Sequence, residues 1–239
     1  ILPVAPIIEL EGISTSYRAQ ALGYPFTYEE EGQTLTKQAL IKPIRSDATQ
    51  PSSSGNVVYQ YRYEEQPWTI DRPRRAGTYS TRVIYTAAEG DNYKSTTKDF
   101  VGNIIISKVN PRISLNLPTG VNQIIRAYTA ETVWGTSIQP TILGVGSDRP
   151  QSGYDIQVKF RLTGEVDWVN SIVNAGTYDL HISFVAVVGD NYNDKEQIFD
   201  AVFVIKDGIV SIELQDGCVV RVPFDGLEHS FDITKVKFL

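Results

Sequence analysis

The chain has 239 residues, with 28 acidic against 22 basic side chains, a net charge of -6 and a pI near 5.0. That balance, without any clustered run of Lys and Arg, excludes the electrostatic footprint of a nucleic-acid binder, and no apolar stretch reaches the roughly 18 residues a membrane-spanning helix requires. The 13 Tyr, 9 Phe and 3 Trp favour pleated structure over helix, and the single cysteine, Cys218, excludes an intrachain disulfide.

With no methionine and Ile1 at its head, the sequence reads as a processed product or an excised piece of a longer chain. Pro6-Ile7-Ile8-Glu9-Leu10-Glu11-Gly12 is an apolar run closed by glycine, which predicts an edge strand entering a turn. Tyr24 to Ser54 loses this pattern and reads as a surface loop. It holds the acidic triplet Glu29-Glu30-Glu31 and the Pro51-Ser52-Ser53-Ser54-Gly55 link. A hard cation is the competing use for the triplet, but the matching stretch Thr129-Ala130-Glu131 does not repeat it, so solvated carboxylates are expected.

From residue 57 the alternation is clear. Val57, Tyr59, Tyr61 and Tyr63 form one face against Val58, Gln60, Arg62 and Glu64, a strand pattern. A turn through Glu64-Glu65-Gln66-Pro67 leads to Trp68, expected as a core plug that sets register. Arg72, Arg74 and Arg75 around Pro73 read as a solvated turn. Ala76-Gly77-Thr78-Tyr79 opens the next strand, with Tyr79, Thr81, Val83 and Tyr85 on one face. Glycine there lets the chain turn sharply, and a tyrosine at a strand entrance is expected to bond its hydroxyl back to a loop carbonyl. Gly90-Asp91-Asn92-Tyr93 makes a turn, and Ile104-Ile105-Ile106 closes the segment.

The same phrases then return. Ile156, Val158, Phe160 and Leu162 repeat the alternating strand, Trp168 follows the same turn, and Ala175-Gly176-Thr177-Tyr178 lies 99 residues after its first copy. Gly189-Asp190-Asn191-Tyr192 completes the set before Val202-Phe203-Val204-Ile205. This is an internal repeat. It predicts an all-β chain organised as repeat one over 1–109, repeat two over 110–208, and residues 209–239 as the start of a truncated third repeat or a C-terminal extension. The short link Val109-Asn110-Pro111 predicts units joined end to end with little bending. Val210 to Gly217 resembles the two earlier openings, and Asp225-Gly226 predicts a hairpin turn, with His229 inside it.

Candidate chemistry is sparse. His181 falls on the polar face of its strand, where the first repeat has Arg82, and lacks metal-ligating neighbours in sequence. Asp190-Asn191-Tyr192-Asn193-Asp194 places carboxylates near one another, but it lacks the glycine and terminal glutamate of a calcium loop, and Lys94 and Ser95 stand in the first copy. Leu117-Pro118-Thr119-Gly120 reads as a turn. No catalytic, metal or cofactor residue is assigned and no cofactor is expected. The exception to keep in view is a pair of carboxylates distant in sequence, as a glycosidase uses. Trp68, Trp134 and Trp168 are the sugar-stacking candidates.

Taken together, Ala-Gly-Thr-Tyr after Pro73 or Asn174, the alternating strand, Gly-Asp-Asn-Tyr and the Ile-rich closing strand resemble the tandem immunoglobulin-like and MBG-type repeats of large bacterial surface proteins and adhesins. The Phe224-Asp225-Gly226 stretch is similar to the openings of such repeats. The resemblance implies immunoglobulin-like β-sandwich domains arranged end to end, without the usual disulfide, since Thr81 and Leu180 stand two residues after the tyrosines. It implies a cell-surface or secreted setting and a non-enzymatic stalk, spacer or adhesive role, with neighbouring repeats, a host surface protein or a glycan as partners. A carbohydrate-binding module of a secreted or surface enzyme is the alternative.

Overall fold

The computed structural model describes residues 2–31, 33–52 and 55–207, and the backbone of two strands at 212–214 and 236–238. Cys218, the Asp225-Gly226 turn and His229 lie outside the described residues. So does most of the expected third repeat, of which only the antiparallel pair Ile212–Leu214 with Val236–Phe238 is described. Among the described residues the protein is all-β and sandwich-like: apart from one 3-10 turn at Gly135–Ser137, every regular element is a strand.

In chain order the first strands are β1 (Ile7–Glu9), β2 (Ile13–Ser16), β3 (Phe26–Glu30), β4 (Gln33–Lys37), β5 (Leu40–Lys42), β6 (Asn56–Tyr63), β7 (Gly77–Thr86) and β8 (Thr96–Ser107). One sheet has the order β2-β8-β7-β6, and β1 pairs antiparallel with β5. The run Pro6–Gly12 holds β1 alone; after Gly12 the chain has crossed over, and β2 joins the far edge of the main sheet parallel to β8, Ile13 opposite Ile104. The expected loop from Tyr24 to Ser54 is corrected by the structure. It contains the hairpin β3–β4 and the strand β5, because Phe26, Tyr28, Leu35 and Ile41 supply an alternation that the acidic triplet at the hairpin tip obscures.

The later strands are β9 (Arg112–Ser114), β10 (Ile124–Ala127), β11 (Val133–Trp134), β12 (Thr141–Leu143), β13 (Asp155–Leu162), β14 (Ser171–Ile172), β15 (Gly176–Val185) and β16 (Lys195–Lys206). The second four-stranded sheet has the order β10-β16-β15-β13. β13, β15 and β16 have the same lengths as β6, β7 and β8, and β10 runs parallel to β16 as β2 does to β8.

By contacts the chain forms two compact units with bounds other than those of the sequence repeats. The first gathers Ile1–Asn116, Gln139–Gln157 and Ile182–Gln197. Its core lies where β1 and β5 cover the β6–β7–β8 face: Ile8, Val83, Tyr85 and Tyr93 are buried, flanked by Leu10, Ile41, Val57, Tyr59 and Phe100. The side chains that alternate inward along β6 and β7 in the sequence are the ones that become covered. The β9–β12 pair puts Ile113 opposite Ile142, both buried. Each fully buried residue of this kind contributes roughly 1.5–3 kcal/mol through removal of apolar surface from water.

The second unit gathers Leu117–Ile138, Val158–His181 and Ile198–Leu239. Phe160 and Phe203 are both fully buried and meet edge to face, ring centroids 5.4 Å apart. Val158, Tyr178, Leu180 and Ile205 are buried too.

A β-bulge in each long strand is tied by the same side-chain position. In β8, Gly102 sits at φ +61 and its N–H donates to Ser80 Oγ at 3.2 Å. In β16, Ala201 sits at φ +49 and its N–H donates to Asp179 Oδ1 at 2.8 Å. An extra residue in a strand leaves an N–H outside the ladder, and the polar side chain on the neighbouring strand satisfies it.

Candidate functional site

The landmark turns are held by their own side chains. Asp91 accepts through Oδ2 from Ser52 N at 2.9 Å and from the Tyr85 hydroxyl at 3.1 Å. The Ser52 N–H leads the groups that hold its carboxyl below the usual carboxylate range. Asp190, 1% exposed, accepts from Gln151 N at 3.0 Å and Asn191 N at 2.6 Å. The carboxylates of the Asp190–Asp194 stretch accept from backbone: Asp194 Oδ1 accepts from Ala186 N at 2.9 Å, as Ser95 Oγ accepts from Ala87 N at 3.0 Å in the first copy. A serine closes the first turn as well as an aspartate closes the second, so the geometry requires no cation. Among the described residues no cluster of three or more His, Cys, Asp or Glu has metal-binding geometry.

The expected tyrosine bonds are present. Tyr79 donates its hydroxyl to the Arg75 carbonyl at 3.0 Å and Tyr178 to the Asn174 carbonyl at 2.8 Å, each four residues upstream. Burial is the leading reason both phenols lie above their ordinary pKa. Gly77 and Gly176 enter these strands at φ +153 and +157, where a Cβ would also meet Tyr63 at 2.7 Å and Leu162 at 2.9 Å. The expected sharp turn is real, and glycine is there for both reasons.

The tryptophans after the two hairpins are not core plugs. Trp68 is half-buried on the polar face, with the Arg62 and Arg82 guanidinium carbons 4.8 and 4.3 Å from its ring centroid, and Arg82 makes two bonds to Asp99 at 2.7 and 2.9 Å. Trp168 lies under Arg161 at 4.5 Å and beside His181 at 5.2 Å. The sequence misassigned them because the cationic residues of β6, β7 and β13 offer the indole a partner outside the core. Each indole thus has at least one arginine guanidinium over its ring. Trp134, at the edge of β11, is 57% exposed.

Of the remaining candidates, Glu29 accepts from Thr34 Oγ1 at 2.6 Å across the β3–β4 hairpin, and Glu30 is exposed. His181 is half-buried against Trp168. Arg72 reaches the Tyr24 carbonyl at 3.3 Å.

Within the first compact unit these turns converge on a joint that the sequence did not reveal. Tyr17, directly after β2, donates its hydroxyl to Asp148 Oδ2 at 2.8 Å, and Tyr192 of the second Gly-Asp-Asn-Tyr phrase donates to the same oxygen at 2.9 Å. The two rings meet edge to face at 5.8 Å. Burial first, then the Asp148 carboxylate, pushes Tyr17 up to about 12, and burial likewise raises Tyr192. Alongside, Ala76 N donates to Asn191 Oδ1 at 2.9 Å and Arg75 reaches the Gly189 carbonyl at 3.3 Å. Asn191 and Asn193 also hold the linker, since Val109 N donates to the Asn191 carbonyl at 3.1 Å and Asn193 N donates to the Val109 carbonyl at 2.9 Å. Val4 makes the equivalent pair of bonds with Asn92 and Lys94. Tyr17 and Tyr128 stand at matching places in the two repeats, a signal available in the sequence. Asp148 has no such counterpart, because Thr49 occupies its place.

Chemically the joint is a set of neutral hydroxyl and amide donors on carboxylate and carbonyl acceptors. It can fix surfaces together; it presents no activated nucleophile. No protein-family model matches the chain, and no curated protein is significantly similar to it.

Proposed function

We propose that this chain is a non-enzymatic module of an extracellular tandem-repeat protein, built of immunoglobulin-like repeats (1–109 and 110–208) that follow one another as stalk or spacer for an adhesive surface. The observation that carries the reading is how the recurring polar residues are used. Asp91 and Asp190 each accept from an amide of their own turn and from an upstream amide, Ser52 or Gln151, Tyr79 and Tyr178 tie their own strand entrances, and Asn191, joined by the unrepeated Asp148, binds residues of the preceding repeat. The shared residues are committed to folding and joining, while the exposed faces differ between copies. Such a joint limits bending between repeats, which is what a spacer requires.

Small-angle scattering tests the reading together with a panel of glycans, glycosides and esters. An extended particle without turnover is expected. A folded-back particle, or catalytic turnover, overturns it. The alternative, a carbohydrate-binding module, is favoured by one observation, the exposure of Trp134. Saturable glycan binding that disappears in Trp134→Ala would decide for it.

A further inference from the structure

The end of the second repeat repeats the donor half of the joint. Tyr17 N donates to the carbonyl of Ser107, the last residue of β8, at 2.8 Å, and Tyr128 N donates to the carbonyl of Lys206, the last residue of β16, at 3.1 Å. In the first copy Gly77 lies opposite Ile106, which sets Arg75-Ala76 at this end of β8; Asn174-Ala175 hold the same place ahead of β15, and the carbonyls of Arg75 and Asn174 each accept from a tyrosine hydroxyl. The two places differ in what covers them. Tyr17 is 6% exposed, packed on Asp148 and Tyr192, whereas Tyr128 is 40% exposed.

We propose that the surface formed by Tyr128, Asn174 and Ala175 is a docking face for a further β-module following in the same polypeptide, one presenting an aspartate and an Asp-Asn turn as the second repeat does to the first. The occupant follows from chemistry and chain path. The surface carries hydroxyl and backbone N–H groups matching those that find carboxylate and amide acceptors in the first joint. The chain leaves β16 at this end, just as it leaves β8 beside Tyr17 to run along the next turn through Val109. A second copy of this chain is the poorer fit. Superposing Ser52 on Gln151 through their bonds to Asp91 and Asp190 puts Thr49 where the carboxylate of Asp148 is needed. The inference rests on the spacer reading for the premise that repeats follow one another, and the two fail separately.

The test is tyrosine nitration mapped by mass spectrometry, on the full chain and on a chain in which residues 109–239 are repeated after Asp207. In the full chain Tyr128 should react and Tyr17 should not. In the extended chain Tyr128 next to the added copy should fall to the reactivity of Tyr17, and Asp148→Ala in the added copy alone should restore it. If Tyr128 stays reactive while Tyr178 of the added copy, buried within its own module, is protected, the added module is folded but undocked and the proposal is overturned. Protection of Tyr128 already in the full chain overturns it too, since residues 208–239 would then own the face. Reactive Tyr17 in both chains sinks the joint and the spacer reading with it. Should the added copy not fold, Thr49→Asp in the full chain supplies the missing carboxylate. Head-to-tail association in sedimentation velocity, lost on Tyr128→Phe, supports the proposal, and a monomer at every concentration overturns it.

Discussion

Replacing Asp179 by alanine removes four hydrogen bonds at once. Its Oδ2 accepts from Arg161 Nε at 3.1 Å and Nη2 at 2.6 Å, and its Oδ1 accepts from Thr163 Oγ1 at 2.9 Å and from the bulge N–H of Ala201 at 2.8 Å. The carboxylate side chain is 4% exposed and the arginine 24%. Breaking a buried pair from one side costs about 3–5 kcal/mol, but the partly exposed guanidinium recovers some hydration, so about 2 kcal/mol is the better figure for that part. The orphaned Ala201 N–H adds about 1–2 kcal/mol. A total near 3–4 kcal/mol is a large share of the roughly 5–15 kcal/mol that holds a domain folded. Asp179→Ser supplies the control. A serine at this position can take the bulge N–H, as Ser80 takes that of Gly102, and should regain about 1 kcal/mol. Urea unfolding and hydrogen exchange at the Ala201 amide measure both. A loss below about 1 kcal/mol for alanine, or no recovery with serine, would refute the assignment of this carboxylate to the bulge. The pH dependence has a defined sign. Burial acts to raise the Asp179 pKa, but the Ala201 N–H, Arg161 and Thr163 outweigh it and hold it below the usual range. Its contribution is therefore intact above about pH 4, where the unfolded carboxyl is ionised, and is lost as pH falls through the folded value.

Asp148→Ala removes the acceptor of two hydroxyls and should cost about 2 kcal/mol, against about 1 kcal/mol for Tyr17→Phe; thermal unfolding of both variants gives the ratio, and equal costs would contradict a shared acceptor. Gly144→Ala would place a Cβ 2.2 Å from the Tyr192 hydroxyl and 2.5 Å from the Asp148 carbonyl oxygen, an overlap expected to cost about 2–3 kcal/mol, read from the midpoint of urea unfolding with an unchanged slope. At high pH the buried phenols act in the opposite sense to the aspartates. Tyr17, Tyr24, Tyr59 and Tyr61 are raised by burial first, so their contribution is intact below about pH 10, the unfolded value, and is lost above it. Absorbance titration should show these tyrosines ionising together with unfolding, whereas free titration at pH 10 would show them open to water. Acrylamide should quench Trp134 far more than Trp68 or Trp168, and Trp134→Phe should remove most of the quenchable emission.

Much of the strand framework was legible because a two-residue alternation and a 99-residue repeat are local facts: β6, β7, β13 and β15, their buried faces, and the tyrosine bonds at Arg75 and Asn174 all follow from residues near one another in the chain. The parallel pairing of β2 with β8, the bulges at Gly102 and Ala201, and the outward placement of Trp68 and Trp168 depend on which strand lies alongside, and single-chain periodicity does not encode that. The joint was hidden for the same reason. Tyr17 and Asp148 are separated by 131 positions, and a hydroxyl finds a carboxylate at that distance only after both backbones are in place. Side-chain chemistry and repeat phase were written in the residues; the partners of each polar group were decided by folding, which brings distant acceptors within 3 Å and removes the water that would otherwise have served them.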